Sequence, residues 1–146
     1  MNIILGADHA GYEVKEKIKN FLEKEGYNYE DMGVNSEKPS DYPDYAFKVA
    51  EKVAKNKNSV GILICGTGIG MSIAANKVKG IRAAVCYDNY SAKMAKKDDN
   101  INILCLRARK MPYKKNQEII KIWLNTSFSK EKRHKRRISK IKEYEK

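Results

Sequence analysis

The sequence predicts an α/β fold, a doubly wound sheet of about five parallel strands with helices on both faces. Three observations lead there. Short apolar runs recur along the chain without polar alternation, as strands buried on both faces require. Amphipathic segments of helical period separate them, so each strand is followed by a crossover back to the same edge. The chemically unusual residues fall just after the apolar runs, where ligands bind in open parallel sheets.

The elements follow in order. Ile3 to Ala7 is the first strand. In "YEVKEKIKNFLEKEG", Val14, Ile18, Phe21 and Leu22 share one helical face, and Gly26 closes the segment. "YNYEDM" is a weaker second strand. Asp41 is placed to cap a helix with Pro43 in its first turn and Ala46, Val49, Ala50 and Val53 facing inward. Val60 to Cys65 is the third strand, followed by a helix over about Ile69 to Val78. Arg82 to Tyr87, a short helix from Ser91, and Ile101 to Leu106 continue the alternation. A helix carrying Ile119, Ile120, Trp123 and Leu124 comes next, and an extended C-terminal helix places Ile138, Ile141 and Tyr144 on a narrow stripe. No linker, repeat or low-complexity stretch divides the chain, so residues 1–146 are read as a single domain.

Composition narrows the class. Hydrophobic residues make up 42%, ordinary for a globular chain, and the apolar runs are too short to span a bilayer. "MNIILGADHAG" reads as a strand and not as a signal peptide, and a cytoplasmic location with no membrane partner is expected. Cys65, Cys86 and Cys105 fit no metal-ligand spacing, and His9 and His134 are distant in sequence, so no metal is expected. Cys86 and Cys105 read as small buried hydrophobes. The net charge of +12 raises the question of nucleic acid. Residues 130–146 hold nine Lys and Arg against three Glu, half of that surplus, and no recognition motif accompanies them. Nucleic acid is therefore not expected as the partner.

Three constellations carry chemistry. "CGTGIG" puts Gly66, Gly68 and Gly70 between a strand and a helix, where bare backbone can aim N–H groups at an anion. Its spacing is neither the dinucleotide fingerprint nor a Walker A loop. Cys65 stands at the strand end beside the helix start, a place where a thiol near pKa 8.5 can drop towards neutrality. The same residues also suit a tight turn and a buried small side chain. "GADHAG" sets Asp8 and His9 at the end of the first strand, facing that crevice or simply capping the next helix. "KRHKRRI" places Arg133 and Arg137 four apart on one helical face, suited to a phosphate dianion or to solvent. Taken together, a phosphate grip, an oxyanion cradle and a base near neutral pKa suit proton abstraction next to a carbonyl, with no cofactor required.

With these residues in view, the sequence resembles ribose-5-phosphate isomerase type B, of the sugar-phosphate isomerase family that includes galactose-6-phosphate isomerase subunits. "GADHAGYEVK", "DYPDYA", "GILICGTGIGMSIAANKVKGIRAAVC", "SAKMA", "NILCLRAR" and "KRHKRRI" match in order and spacing over nearly the whole chain. The resemblance implies a Rossmann-like homodimer, or dimer of dimers, with active sites at the subunit interface. It implies interconversion of ribose 5-phosphate and ribulose 5-phosphate in the pentose phosphate pathway. Cys65 would be the base; Gly66, Thr67, Gly68, Ile69 and Gly70 would form the anion hole, with Thr67 near the sugar hydroxyls. Asp8 would bind the sugar, and His9, Arg133 and Arg137 the phosphate. Arg109 would be a further substrate-facing arginine, reaching in from the partner subunit.

One stretch departs from the family pattern. Asp98 stands where the family has a ring-opening histidine, and Asp99 where it has asparagine. A carboxylate near pKa 3.9 is a base but a poor acid at neutral pH, unless burial raises it. Arg107 also replaces a glycine ahead of Arg109. The reading is an aldose–ketose isomerase of a phosphorylated sugar, ribose 5-phosphate first, with Asp98 and Asp99 at the ring-opening position. Another sugar phosphate, of the galactose 6-phosphate or allose 6-phosphate type, is the alternative substrate. A weakly active binding subunit is the other alternative.

Overall fold

In the computed structural model, which describes residues 1–145, five parallel strands form one sheet in the order β2-β1-β3-β5-β4. They are β1 (Asn2–Ala7), β2 (Asn28–Asp31), β3 (Ser59–Cys65), β4 (Ala83–Val85) and β5 (Ile103–Arg107). Between and after them run α1 (Tyr12–Lys24), α2 (Tyr42–Lys55), α3 (Ile69–Ala75), α4 (Asn89–Lys97), α5 (Tyr113–Leu124) and α6 (Lys132–Tyr144). The expected Rossmann-like architecture is present.

Side-chain alternation along the strands divides the core in two. Ile3, Leu5, Ile62, Ile64, Leu104 and Leu106 pack under α1 and α5 with Ile18, Leu22, Ile120 and Trp123. Ile4, Leu63, Cys65, Ile103 and Cys105 point the other way, towards Ala46, Val49, Met71 and Ala74 of α2 and α3. Because both faces are covered, the strands need no polar face, and this is why the sequence shows runs without alternation. Cys86 and Cys105 are buried, as their apolar surroundings predict, and burial pushes both thiols up, Cys86 to about 11.

Several boundaries differ from the sequence reading. Helix α3 stops at Ala75, β4 lacks Arg82 at its start and Cys86 and Tyr87 at its end, and β5 starts two residues later than expected and runs on to Arg107. Helix α4 starts at Asn89, earlier than expected, because Asp88 accepts from Ser91 N while the Ser91 hydroxyl accepts from the Asp88 main chain. Asp41 does precede α2 but makes no side-chain cap bond. Of the stripe on α6 only Ile138 is buried; Ile141 and Tyr144 are exposed. Lys15, which a sequence reader assigns to solvent, is 1% exposed, its ammonium 2.6 Å from Asp31.

Candidate active site

Strand order reverses between β1 and β3, since the chain goes from β1 outward to β2 and then returns to the other side. A crevice forms at the carboxyl ends of such a pair. The first residue beyond β1 is Asp8, and the last of β3 is Cys65. Main-chain bonds fix this edge: Asp8 N donates to Ile64 O at 3.2 Å, and Ala108 N donates to Cys65 O at 2.9 Å.

Each predicted residue here has a defined place. Asp8 is buried, and its Oδ1 accepts from Ala10 N and Gly11 N, holding the single 3-10 turn His9–Gly11. His9 is tied to the loop before α2, where its Nδ1 accepts from Ser40 N at 3.1 Å and its own N–H donates to Ser40 Oγ. With Nδ1 accepting, the neutral ring carries its proton on Nε2, the nitrogen left for a ligand. Cys65 is 5% exposed, and its sulfur accepts from Gly68 N at 3.1 Å. That N–H is therefore aimed at the sulfur.

The glycine loop is shaped by its neighbours. Gly68 has φ +79°, a left-handed conformation that turns the chain from β3 into α3. A Cβ on Gly70 would lie 2.6 Å from the Tyr42 ring, so the tyrosine packs on bare backbone. Ile69 N donates to Thr67 Oγ1, while Thr67 N and Gly70 N have no acceptor among the described residues. Thr67 and Ile69 are exposed. Arg109 lies over the same loop: its main chain donates to Gly66 O at 3.1 Å, and its Nη1 would be 3.0 Å from a Cβ on Gly66. The resemblance implied that Arg109 reaches a site from the partner subunit; within one chain it lies over Gly66 because β5 ends beside β3.

The remaining predicted residues lie at the opposite edge. Helix α4 leads away from the carboxyl end of β4, and Asp98 is its C-terminal cap, followed by Asp99. Asp99 O and Asn100 O accept from the Arg82 guanidinium, immediately before β4, which fixes them at the amino ends of β4 and β5. Arg133 and Arg137 start α6 there as well, both exposed, with Arg133 paired to Glu131. A strand the length of β5 spans roughly 16 Å, so within one chain the two groups are separated by about that distance.

His134 belongs to this second group, and the sequence gave no reason to choose it. It is buried, its Nδ1 lies 2.6 Å from the Ser129 hydroxyl, and its Nε2 lies 3.5 Å from Asp98 Oδ1. Only the fold brings residues 98 and 134 together: Ser129 N donates to Lys97 O, which seats the start of α6 on the end of α4. The signal available was the heptad-like spacing that puts His134 and Ile138, four apart, on the inner face of α6. Among the described residues, no three His, Cys, Asp or Glu side chains are grouped to hold a metal ion. Among the described residues no helix is long and apolar enough to cross a membrane.

A thiol and two amides without an acceptor among the described residues thus stand at the switch point of a parallel α/β sheet, where such folds bind ligands, and comparison with known proteins gives the class: sugar-phosphate isomerases. The chain belongs to the Ribose/Galactose Isomerase family, whose profile matches residues 3–141. It is 46% identical to Clostridium thermocellum ribose-5-phosphate isomerase B, with a TM-score of 0.96 and coverage of 99% of this chain and 97% of that one. It is 44% identical to Mycoplasma genitalium ribose-5-phosphate isomerase B, solved with bound ribulose 5-phosphate, with a TM-score of 0.94 and coverage of 99% and 95%. A D-erythrulose-4-phosphate isomerase of Pectobacterium atrosepticum is 42% identical, over 88% of this chain and 85% of its own length.

Proposed function

We propose that the chain interconverts ribose 5-phosphate and ribulose 5-phosphate through an enediolate. The observation that carries this reading is the Gly68 N–H aimed at the Cys65 sulfur at the crevice between β1 and β3. The Cys65 thiolate removes the proton from C2 of the open-chain aldose, and the C2–H electron pair forms the C1–C2 double bond. The carbonyl oxygen at C1 becomes the oxyanion and is held by the free Thr67 and Gly70 amides. The thiol then returns the proton to C1, while the hydroxyl proton at O2 passes to O1, leaving the ketone at C2. Asp8 binds sugar hydroxyls through its carboxylate. His9 Nε2 and Arg109 meet the substrate from the same edge.

The phosphate-binding Arg133 and Arg137, with Asp98 and Asp99, come from a second copy of the chain. Two facts support that dimer. The two residue groups sit at opposite edges of one sheet, and an isologous pair brings each edge against the other's opposite edge twice. Exposed apolar side chains lie beside them, Ile69 and Ile73 on α3 and Ile141 and Tyr144 on α6. At the ring-opening position, Asp98 acts with His134. The Ser129 hydroxyl meets Nδ1, and Nε2 faces the Asp98 carboxylate. The imidazole is the proton-transfer partner of the carboxylate in this reading.

A second reading is favoured by the same position. A carboxylate in place of the expected histidine suits a sugar phosphate that arrives in open-chain form, such as the tetrulose phosphate named for the Pectobacterium relative. The deciding experiment follows ribose 5-phosphate and erythrulose 4-phosphate by NMR in D₂O, recording product together with deuterium exchange at C2 of the aldose and at C1 of the tetrulose phosphate. Conversion of ribose 5-phosphate at enzymatic rates supports the first reading. Conversion of the tetrulose phosphate alone supports the second, and exchange with neither removes both.

A further inference from the structure

At the amino edge of the sheet, the end of α2, the Gly80 turn, the end of α4 and the last turn of α6 enclose a cavity of about 580 Å³. Small-molecule sites commonly occupy about 300–1,000 Å³. Four cationic side chains line it, Lys57, Arg82, Lys96 and Lys142, and no acidic side chain does.

The polar groups in the lining divide into two kinds. The amides serve the fold: Asn102 Oδ1 accepts from Arg82 N, its Nδ2 donates to Gly80 O, and Asn56 Oδ1 accepts from Asn58 N. The cations are uncommitted to any anion. Among the described residues none of the four forms an ion pair, and Arg82 spends Nε and Nη2 on the carbonyls of Asp99 and Asn100. The nearest carboxylate, Glu145, is engaged with Gly80 N at 2.9 Å.

Arg82 and Lys96 are both half-buried. Burial drives the Arg82 pKa down against the pull of Glu145 and Asp99. Burial and then the charge of Arg82 drive Lys96 down too. Two desolvated like charges beside an open cavity are an arrangement that an incoming anion relieves. A scattered lysine surface explains Lys57 and Lys142 but not a half-buried pair.

We propose that this cavity is a second anion site, separate from the sugar-phosphate site, for a small molecule that carries two or more linked phosphates. Four positive charges with no acid among them exceed what one phosphate dianion offsets. The site is also wired to the reaction's other half: the guanidinium of Arg82 grips the turn directly after Asp98, so an anion drawing on Arg82 shifts that turn.

The test is a titration of the full chain with inorganic pyrophosphate, and in parallel with inorganic monophosphate, followed by ¹H–¹⁵N correlation spectra at constant ionic strength. Saturable shifts are expected at the Gly80, Asn100 and Asn102 amides, with pyrophosphate binding on the order of tenfold more tightly than monophosphate. In Lys57→Gln/Lys96→Gln those shifts weaken on the order of tenfold or more, whereas shifts around His9 and Gly70 persist. If the double variant is unfolded, Lys57→Gln alone, at an exposed position, replaces it with a smaller expected loss. Absence of saturable shifts at these three amides, equal affinity for both anions, or unchanged binding in the folded variant overturns the proposal.

Discussion

At the carboxyl edge of the sheet, Asp8, Cys65 and the glycine loop are held by main-chain bonds to β3, β5 and the 3-10 turn. At the amino edge, Asp98, Arg133, His134 and Arg137 hang on the ends of two helices, joined by one main-chain bond between Ser129 and Lys97 and by side chains. The first edge is rigid because its polar groups are the ends of the ladder itself. The second is positioned by helix packing, with its arginines left in solvent. Under the function proposed above, the contrast suits a division of labour in which proton transfer needs fixed geometry, while phosphate capture and ring opening tolerate movement.

The sharpest way to break this comparison is at the sulfur. Cys65→Ala is expected to lower kcat by at least about 10²-fold, the usual worth of a positioned general base, with the thermal midpoint nearly unchanged. Turnover within a few-fold of the parent enzyme would remove proton transfer from the carboxyl edge. The next test asks whether the two edges meet across subunits. Cys65→Ala and Arg137→Ala chains are each expected to be nearly inactive, the second mainly through a raised KM. After the two are unfolded and refolded together in equal amounts, about a quarter of the sites should regain both wild-type groups, because half of the dimers are mixed and each holds one intact site. No recovery on mixing would mean that each chain works alone.

The two edges were unequally legible in the sequence. Asp8, Cys65 and Gly66 to Gly70 announce themselves because the strand, the turn and the helix start are contiguous, and local pattern is enough to place them. Asp98 entered only through likeness to a family, and the spacing of Arg133 and Arg137 suited a phosphate or plain solvent equally, since nothing in it says that the segment after α5 folds back onto α4. His134 was missed for the same reason: its partner is 36 positions away. The burial of Lys15 was not legible because a lysine on an amphipathic helix reads as solvated, and only the neighbouring β2 supplies the carboxylate that permits burial. That Arg109 lies over Gly66 of its own chain could not be read either, because that approach depends on β5 pairing with β3.

Packing at the glycine loop offers a smaller, structural test of the rigid edge. Gly70→Ala brings a Cβ within 2.6 Å of the Tyr42 ring, and the ring must move. A loss of about 1–3 kcal/mol in stability is expected from such overpacking, together with a lower kcat as the free Gly70 amide is displaced. Denaturant unfolding and steady-state kinetics on the same sample check both. Unchanged kcat in a destabilised protein would show that Gly70 only accommodates the tyrosine.

The smallest expected effect concerns what braces that edge from behind. Asp31 ends β2, and its Oδ1 accepts from Gly33 N, while Oδ2 meets Lys15 at 2.6 Å and Lys19 at 3.0 Å. Burial pushes the Asp31 carboxyl up, but the hydrogen bonds from Lys15, Gly33 N and Lys19 outweigh it and hold the group below its ordinary value of 3.8. A carboxyl whose folded pKa is depressed adds stability above its unfolded pKa and loses it as pH falls through the folded one. Asp31 therefore stabilises the protein fully at neutral pH, and its contribution fades only below about pH 4. Asp31→Asn should cost on the order of 1 kcal/mol at pH 7 and little at pH 3. Because Gly33 O also accepts from Ala7 N, the loss should appear first as faster amide exchange at Ala7 and Asp8, while the end of α4 keeps its protection. Equal cost at both pH values would mean that Asp31 matters for its shape and not for its charge, and the brace would then be no part of what makes the two edges differ.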